Sequence, residues 1–280
     1  MKEINNKRNI ILFIITLVLT YGIIYFLYNY WSDGGFSRYI GSDSGLHMFY
    51  TLCNSGLFLP FELLLLFLSS NFIASDFYNN KYSGFQNYIV TRVGEKNRLK
   101  YEIKQVLKCS FLLRFILHIF ILLIIHIFFS RISFHEYSDV SYYVEGAAAL
   151  FSNSKVSLLL YLIYSSIGFS IYSLFIYSLI VVIKNKYVYR VSGIVVFIGL
   201  VVCTALFGNE LYKYFNDIKF ANPIMQAINP MNLLSPGVDS LTTVTTLLET
   251  HIYYFYSCFC FIIYSLFFMF LRYKKERKNG

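Results

Sequence analysis

The sequence predicts an all-α integral membrane protein with six transmembrane helices, and three observations lead to this fold class. Hydrophobic residues make up 57% of the 280 residues, whereas charged residues make up only 14%. The apolar residues gather in six long runs, without the polar alternation of membrane β-barrel strands. Most of the Lys and Arg residues collect in alternate segments between these runs. Each run therefore predicts a helix, because crossing a hydrocarbon core of about 30 Å takes roughly 20 apolar residues.

The predicted spans follow one another with connections of very different length. They are residues 10–30, 48–75, 106–130, 156–183, 191–207 and 252–271. The first run is too long for a signal-peptide core and has no small-residue cleavage site after it, so we expect it to remain. The longest connection, residues 208–251, contains three prolines, and its part 224–234 is apolar enough to lie at or dip into the membrane surface. No connection is long and polar enough for a soluble domain, so residues 1–280 are expected to form a single transmembrane domain.

The distribution of positive charge predicts the orientation. Most of the 24 Lys and Arg residues lie in the N-terminal segment, in residues 76–105, in residues 184–190 and after the last span. By the positive-inside rule, both termini are expected in the cytoplasm. The net charge of +9 then reflects topology and contact with anionic lipid headgroups, and no nucleic-acid partner is expected. A composition rich in Ile, Phe, Tyr, Asn and Lys is typical of an A+T-rich bacterial genome, so we expect the plasma membrane of a bacterium.

The chain shows no signature of covalent chemistry. The phosphate-cradling GxxxxGK[ST], the zinc-binding HExxH and the nucleophile motif GxSxG are all absent from the sequence. No catalytic, cofactor-binding or metal-binding residue is predicted, and the chain is not expected to be an enzyme.

The cytoplasmic segment 76–105 carries the most specific pattern. An acidic residue closes the second span, a partly apolar stretch follows, and basic residues lead through a turn at Gly94 into the third span. This pattern predicts two short amphipathic helices that could lie on lipid headgroups or bind a soluble partner. A solvated connector that only sets topology is the alternative. The residues that define the pattern are Asp76, Gly84, Thr91, Arg92, Arg98, Tyr101 and Lys104.

These positions resemble the permease subunits of type-2 ABC exporters, and the resemblance covers nearly the whole chain. It includes the basic N-terminus, the six spans, the short second inner loop and residues 222–237, which look like the outer re-entrant region of that family. The resemblance implies a second permease subunit, identical or a sister, and separate ABC ATPase subunits that bind ATP. Residues 84–100 would be the main coupling element, and residues 184–190, which include Lys186, the second. The implied cargo is hydrophobic or amphipathic, such as a peptide, a bacteriocin or a drug-like molecule.

An autonomous membrane protein, either an ion-coupled carrier or an immunity protein without an ATPase, is the alternative interpretation. Ion-coupled carriers usually have several acidic residues at mid-membrane depth. Here Glu62 is the acidic residue clearly placed there.

Three ionisable residues lie well away from the ends of the predicted spans: Glu62 in the second, and Arg114 and His118 in the third. Such residues are costly in lipid and usually pair with one another or face a cavity. Counting about 1.5 Å per residue places Glu62 and His118 at matching depths. The sequence therefore predicts a Glu62–His118 contact, with Arg114 nearer the inner interface.

Overall fold

The computed structural model describes residues 11, 13–25, 45–53, 59–68, 77–78, 92, 94–134, 150–215, 218–237 and 247–278. About 89% of these residues are helical, and they contain no β-strand. The described part of the chain is therefore all-α, as the apolar runs predict.

The helices are numbered in chain order. They are α1 (Phe13–Tyr25), α2 (Gly45–Cys53), α3 (Leu59–Leu68), α4 (Glu95–Ile124), α5 (Ser154–Ser178), α6 (Lys186–Phe215), α7 (Ile218–Ile228), α8 (Met231–Leu234) and α9 (Leu247–Lys278). A π-helical turn, Ile125–Phe129, extends α4, and a 3₁₀ turn, Leu179–Val181, extends α5.

Four of these helices contain a stretch that is long and apolar enough to cross a membrane. The stretches are Lys96–Phe129, Ser154–Val181, Lys186–Gly208 and Leu248–Lys274, which correspond to the last four predicted spans. The stretch in α5 is 72% buried, whereas the other three are 28–39% buried. Helix α5 is therefore the central helix, and α4, α8 and α9 pack against it.

The ends of the long helices gather in two sets, as expected for successive crossings in alternating directions. We call one set the basic end: the start of α4, the end of α5, the start of α6 and the end of α9, where Arg272 contacts Glu102. At the opposite end, the backbone N–H of Gly45 at the start of α2 donates to the carbonyl of Arg131, at 2.9 Å. There His251 of α9 also bonds the Leu150 carbonyl, at 3.0 Å.

The first two predicted spans are described only in part. Helix α1 is apolar but shorter than a spanning helix over its described residues. The range predicted for the second span holds two separate described helices, α2 and α3, and residues 54–58 between them lie outside the described residues.

The long connection before α9 is largely helical where it is described. Helix α6 continues past the predicted end of its span to Phe215, and the short helices α7 and α8 follow. Helix α7 packs against α6 and α9, while α8 packs against α5 and α9. The connection is thus folded back onto the helix bundle.

Candidate functional site

An ion pair lies in the interior of the bundle. Arg114 of α4 is 0% exposed and binds Glu62 of α3 with both terminal nitrogens: Nη1 donates to Oε2 at 2.8 Å and Nη2 to Oε1 at 2.5 Å. Glu62 is 2% exposed. This two-point contact is the strong form of an Arg–carboxylate pair, because two parallel bonds fix both distance and orientation. It joins α3 to α4 and leaves no net charge on the pair.

The remaining donors of Arg114 reach two further elements. Its Nε donates to the hydroxyl of Ser165 in α5 at 3.1 Å, and its Nη2 also donates to the carbonyl of Leu234 at 3.0 Å. The Ser165 hydroxyl itself donates to the same carbonyl. Leu234 is the last residue of α8, so its carbonyl has no partner within the helix and needs one from elsewhere. Arg114 and Ser165 supply that partner.

These contacts place α8 deep in the bundle. Ser165 lies about 16 Å along α5 from its start at Ser154, by the helical rise. Gly168 lies about 21 Å along, roughly half the length of the spanning stretch, and it contacts the backbone of Leu233. A Cβ added to Gly168 would lie 1.9 Å from the Leu233 carbonyl oxygen. The segment predicted to dip into the membrane surface therefore reaches the middle of α5, and Gly168 permits the approach.

Helix α2 ends in the same layer. The hydroxyl of Ser235, directly after α8, donates to the carbonyl of Cys53 at 2.9 Å. Cys53 is the last described residue of α2, so this bond joins α2 to the end of α8. The contacts of Arg114 and Ser235 thus hold α2, α3, α4, α5 and α8 together at one depth.

The predicted Glu62–His118 contact is wrong. Glu62 pairs with Arg114, and Arg114 is fully buried rather than extended towards an interface. Arg114 is the better partner for Glu62 because its guanidinium stays charged and offers a carboxylate two donors. An imidazole ring presents only one donor to the same carboxylate. The acid on the second predicted span does pair with a base on the third, but that base is Arg114.

His118 lies one turn further along α4, in a layer of aromatic side chains. Its ring is 5.7 Å from that of Tyr161 on α5 and 5.8 Å from that of Phe49 on α2. Tyr50 packs edge-on against Tyr161, with ring centroids 5.4 Å apart. All four side chains in this layer, those of Phe49, Tyr50, His118 and Tyr161, are at most 1% exposed.

Polar side chains on α4 and α5 meet in a regular antiparallel register. His118 of α4 faces Tyr161 of α5. One turn earlier on α4, Arg114 faces Ser165, which lies one turn later on α5. Three turns earlier still, Glu102 meets Tyr177 in the same register. On α4 the buried charged and polar side chains follow a four-residue spacing in which the apolar Val106 takes one place: Arg98, Glu102, Ser110, Arg114 and His118. We call this contact line the polar seam.

At the basic end the polar seam finishes in a cluster of charges. The carboxylate of Glu102 accepts a hydrogen bond from Tyr177 and lies 3.6 Å from Arg272 Nη1 and 3.8 Å from Arg98 Nε. Arg272 Nη1 also donates to the Tyr177 hydroxyl at 2.8 Å. We call Arg98, Glu102, Tyr177 and Arg272 the basic-end cluster. It ties the start of α4 to the ends of α5 and α9.

Tyr78 links the same region to the connection between α5 and α6. Its hydroxyl donates to the Lys184 carbonyl, and its ring stacks on Tyr189 of α6 with centroids 4.9 Å apart. Phe77 packs edge-on against Tyr177. Phe77 and Tyr78 therefore fasten the beginning of segment 76–105 to α5, α6 and the connection between them.

The described coupling residues are exposed, with the exception of Arg98. Arg98 is 3% exposed and belongs to the basic-end cluster, whereas Tyr101 is 60% exposed. Lys104, Arg92 and Lys186 are also exposed. Asp76, Gly84 and Thr91 lie outside the described residues.

The prediction of a separate second amphipathic helix is also wrong, because Glu95 begins a helix that continues unbroken into the third span. Apolar residues take over α4 without an intervening helix breaker. Gly94, with φ of 79°, sets the start of α4.

The exposed face of the basic end has a distinct chemistry. Lys96, Lys100, Tyr101 and Lys104 project from the first turns of α4. Tyr187, at 74% exposure, and the exposed Lys184 and Lys186 project from the connection to α6. We call this the basic surface; it offers cations and aromatic rings to an acidic partner or to lipid headgroups.

The chain matches no protein-family model, no curated protein and no solved structure.

Sequence reasoning missed Ser165, Leu234, Tyr177 and Arg272 as partners in the buried contacts. The four-residue recurrence of polar side chains along α4 is the signal that could have indicated a buried polar face. The partners on α5, α8 and α9 required the packing of the bundle.

Proposed function

We propose that this chain is the membrane-spanning permease subunit of an ATP-driven exporter, working with separate ATPase subunits and a second permease. It spans the membrane six times with both termini in the cytoplasm, so the basic end is the cytoplasmic end. The observation that carries the proposal is the construction of the basic end. The start of α4 carries exposed basic and aromatic side chains. It also carries the buried Arg98 and Glu102, which belong to the basic-end cluster and connect α4 to α5 and α9.

That construction suits the transmission of force. A soluble ATPase pressing on the basic surface would push against the start of α4 and the connection before α6. The basic-end cluster joins α4 to α5 and α9. Tyr78 joins segment 76–105 to Lys184, in the connection between α5 and α6. A displacement at either element would therefore move several helices together rather than bend one loop.

The interior of the bundle suits a cargo with a large apolar part. The described interior residues are mostly apolar or aromatic. The buried charges of Glu62 and Arg114 are paired with each other. A hydrophobic or amphipathic cargo, such as a peptide or a drug-like molecule, fits that chemistry.

The alternative of an ion-coupled carrier depends on Glu62, in the first turn of α3. Proton or cation coupling needs a carboxylate that can exchange its partner. Glu62 has both oxygens engaged by Arg114. This favours a structural role for Glu62 and therefore the exporter. An immunity protein without an ATPase is the other alternative.

The test is affinity purification of the tagged protein in mild detergent from the cells that produce it. A soluble ATPase in stoichiometric amount is the expected result. Changing Lys96 and Lys100 to Gln, or Tyr101 to Ala, should reduce its recovery at least several-fold, because these exposed side chains form the basic surface. Arg98 is unsuitable for this test, because it is buried in the basic-end cluster.

Lys155→Gln is the matched control, because Lys155 is an exposed lysine at the opposite end. Its recovery of the ATPase should equal that of the parent protein. A protein that purifies alone even after crosslinking would contradict the exporter and favour the carrier or the immunity protein.

A further inference from the structure

Several buried polar atoms along the polar seam have no protein partner among the described residues. They are Nδ1 and Nε2 of His118, the hydroxyl of Tyr161, and the hydroxyls of Ser110 and Ser173. Ser110 and His118 lie on α4, and Tyr161 and Ser173 on α5. Buried polar groups are nearly always hydrogen-bonded to protein or to ordered water. Their concentration between two helices points to water in the seam.

The strongest case is the layer of His118 and Tyr161. Both side chains are 0% exposed, and their rings lie 5.7 Å apart. Together they offer a hydroxyl, a ring N–H and a ring nitrogen acceptor within one small space. The Cys53 thiol lies close to the Tyr161 hydroxyl and adds a third, weak partner. A buried water molecule typically makes about three hydrogen bonds, which this set can provide.

The side chains packed around His118 and Tyr161 explain why no other described residue hydrogen-bonds to them. Phe49 closes the His118 ring on one side, and Tyr50 packs against Tyr161. The nearest charged groups, Glu62 and Arg114, are bound to each other one turn away. A neutral ligand therefore suits the chemistry of this layer, whereas an ion would lack a counter-charge.

We propose that His118 and Tyr161 hold a buried water molecule between α4 and α5, one turn from the Glu62–Arg114 pair. The water accepts from or donates to the imidazole and bridges it to the Tyr161 hydroxyl. The proposal does not depend on the exporter function, since it concerns only the packing of α4 against α5.

Solid-state NMR on the full-length protein in bilayers, with ¹⁵N-labelled histidine, tests the proposal directly. A water molecule at this site should give a transfer peak between water protons and the His118 ring nitrogens. His118 is assigned by the signal lost in His118→Gln. If that variant does not fold, it is assigned by elimination with single variants of the other four histidines. No water transfer to His118 would overturn the proposal.

Thermal unfolding of Tyr161→Phe gives the second measurement. This change removes one oxygen and nothing else. If water bridges the pair, the variant should unfold several degrees lower and its His118 water peak should weaken. If the layer is dry, removing an unpartnered hydroxyl should leave the unfolding temperature equal or higher, which would contradict the proposal.

Tyr172→Phe is the matched control on the same helix. The Tyr172 hydroxyl donates directly to the Gly193 carbonyl at 2.8 Å. This variant should unfold at a lower temperature, while its His118 water peak should remain at full strength.

Discussion

Replacing Arg114 with Met should expose how strongly the bundle depends on its central ion pair. The change leaves the Glu62 carboxylate buried without its counter-charge, which costs about 3–5 kcal/mol in other buried pairs. It also removes the donors to Ser165 and to the Leu234 carbonyl, each worth about 1 kcal/mol. The expected loss in the free energy of unfolding is therefore about 5 kcal/mol or more. Glu62→Gln keeps the shape and one acceptor, so it should cost about 3 kcal/mol.

The double variant decides whether the pair acts as a unit. Once Arg114 is Met, changing Glu62 to Gln removes an unpaired buried charge, so the second change should cost nothing or restore stability. The two losses should thus fall short of additivity by about 3 kcal/mol, measured by equilibrium unfolding in bicelles. Losses that add to within about 0.5 kcal/mol would show that Glu62 and Arg114 do not act as a pair.

Thr204→Val is the control for removing a buried polar group elsewhere. The Thr204 hydroxyl donates within its own helix, to the Leu200 carbonyl at 2.8 Å. The variant should cost at most about 1 kcal/mol, and its loss should add to that of Glu62→Gln.

Three further changes test the depth of α8 and the basic end. Gly168→Ala puts a methyl group 1.9 Å from the Leu233 carbonyl oxygen and should cost about 3 kcal/mol in unfolding free energy, whereas Gly199→Ala, with nothing within 4 Å, should be neutral or stabilise by up to about 1 kcal/mol. Equal effects of the two would contradict the deep position of α8. Tyr177→Phe removes the hydroxyl between the carboxylate and the guanidinium of the basic-end cluster, so thermal unfolding should show a loss of about 1–3 kcal/mol, and an unchanged stability would argue against the cluster. Gly94→Ala forces a side chain into a backbone region with φ of 79°, so hydrogen exchange should speed up in the first turn of α4; unchanged exchange there would show that the turn tolerates the strain.

The long helices could be predicted from the sequence because a solid apolar run of this length has one stable form in lipid. The apolar runs anticipated α4, α5, α6 and α9, and the prolines and apolar residues of 224–234 indicated that this part approaches the membrane. The depth it reaches could not be anticipated. That depth depends on Gly168 of α5, which lacks a side chain where Leu233 passes. A single glycine in an apolar run does not indicate that another backbone segment packs against it.

The candidate site was predicted in its residues but not in its contacts. Glu62, Arg114 and His118 stood out because ionisable groups are costly in lipid, and all three are buried. Counting residues along two helices gives depth but not rotation, so it could not tell which base faces the acid. Arg98 shows the same limit: its position in a basic segment suggested an exposed contact, yet the four-residue step to Glu102 turns it inward.

The most direct test of the account is native mass spectrometry of the protein extracted from the membranes of the cells that produce it. The proposed exporter would be an assembly of two permease subunits, identical or sisters, with two ATPase subunits, and the ATPase subunits should be released first on activation because the proposed binding surface is exposed. A mass equal to this chain alone, or to copies of this chain alone, under conditions that keep other membrane complexes intact, would contradict it.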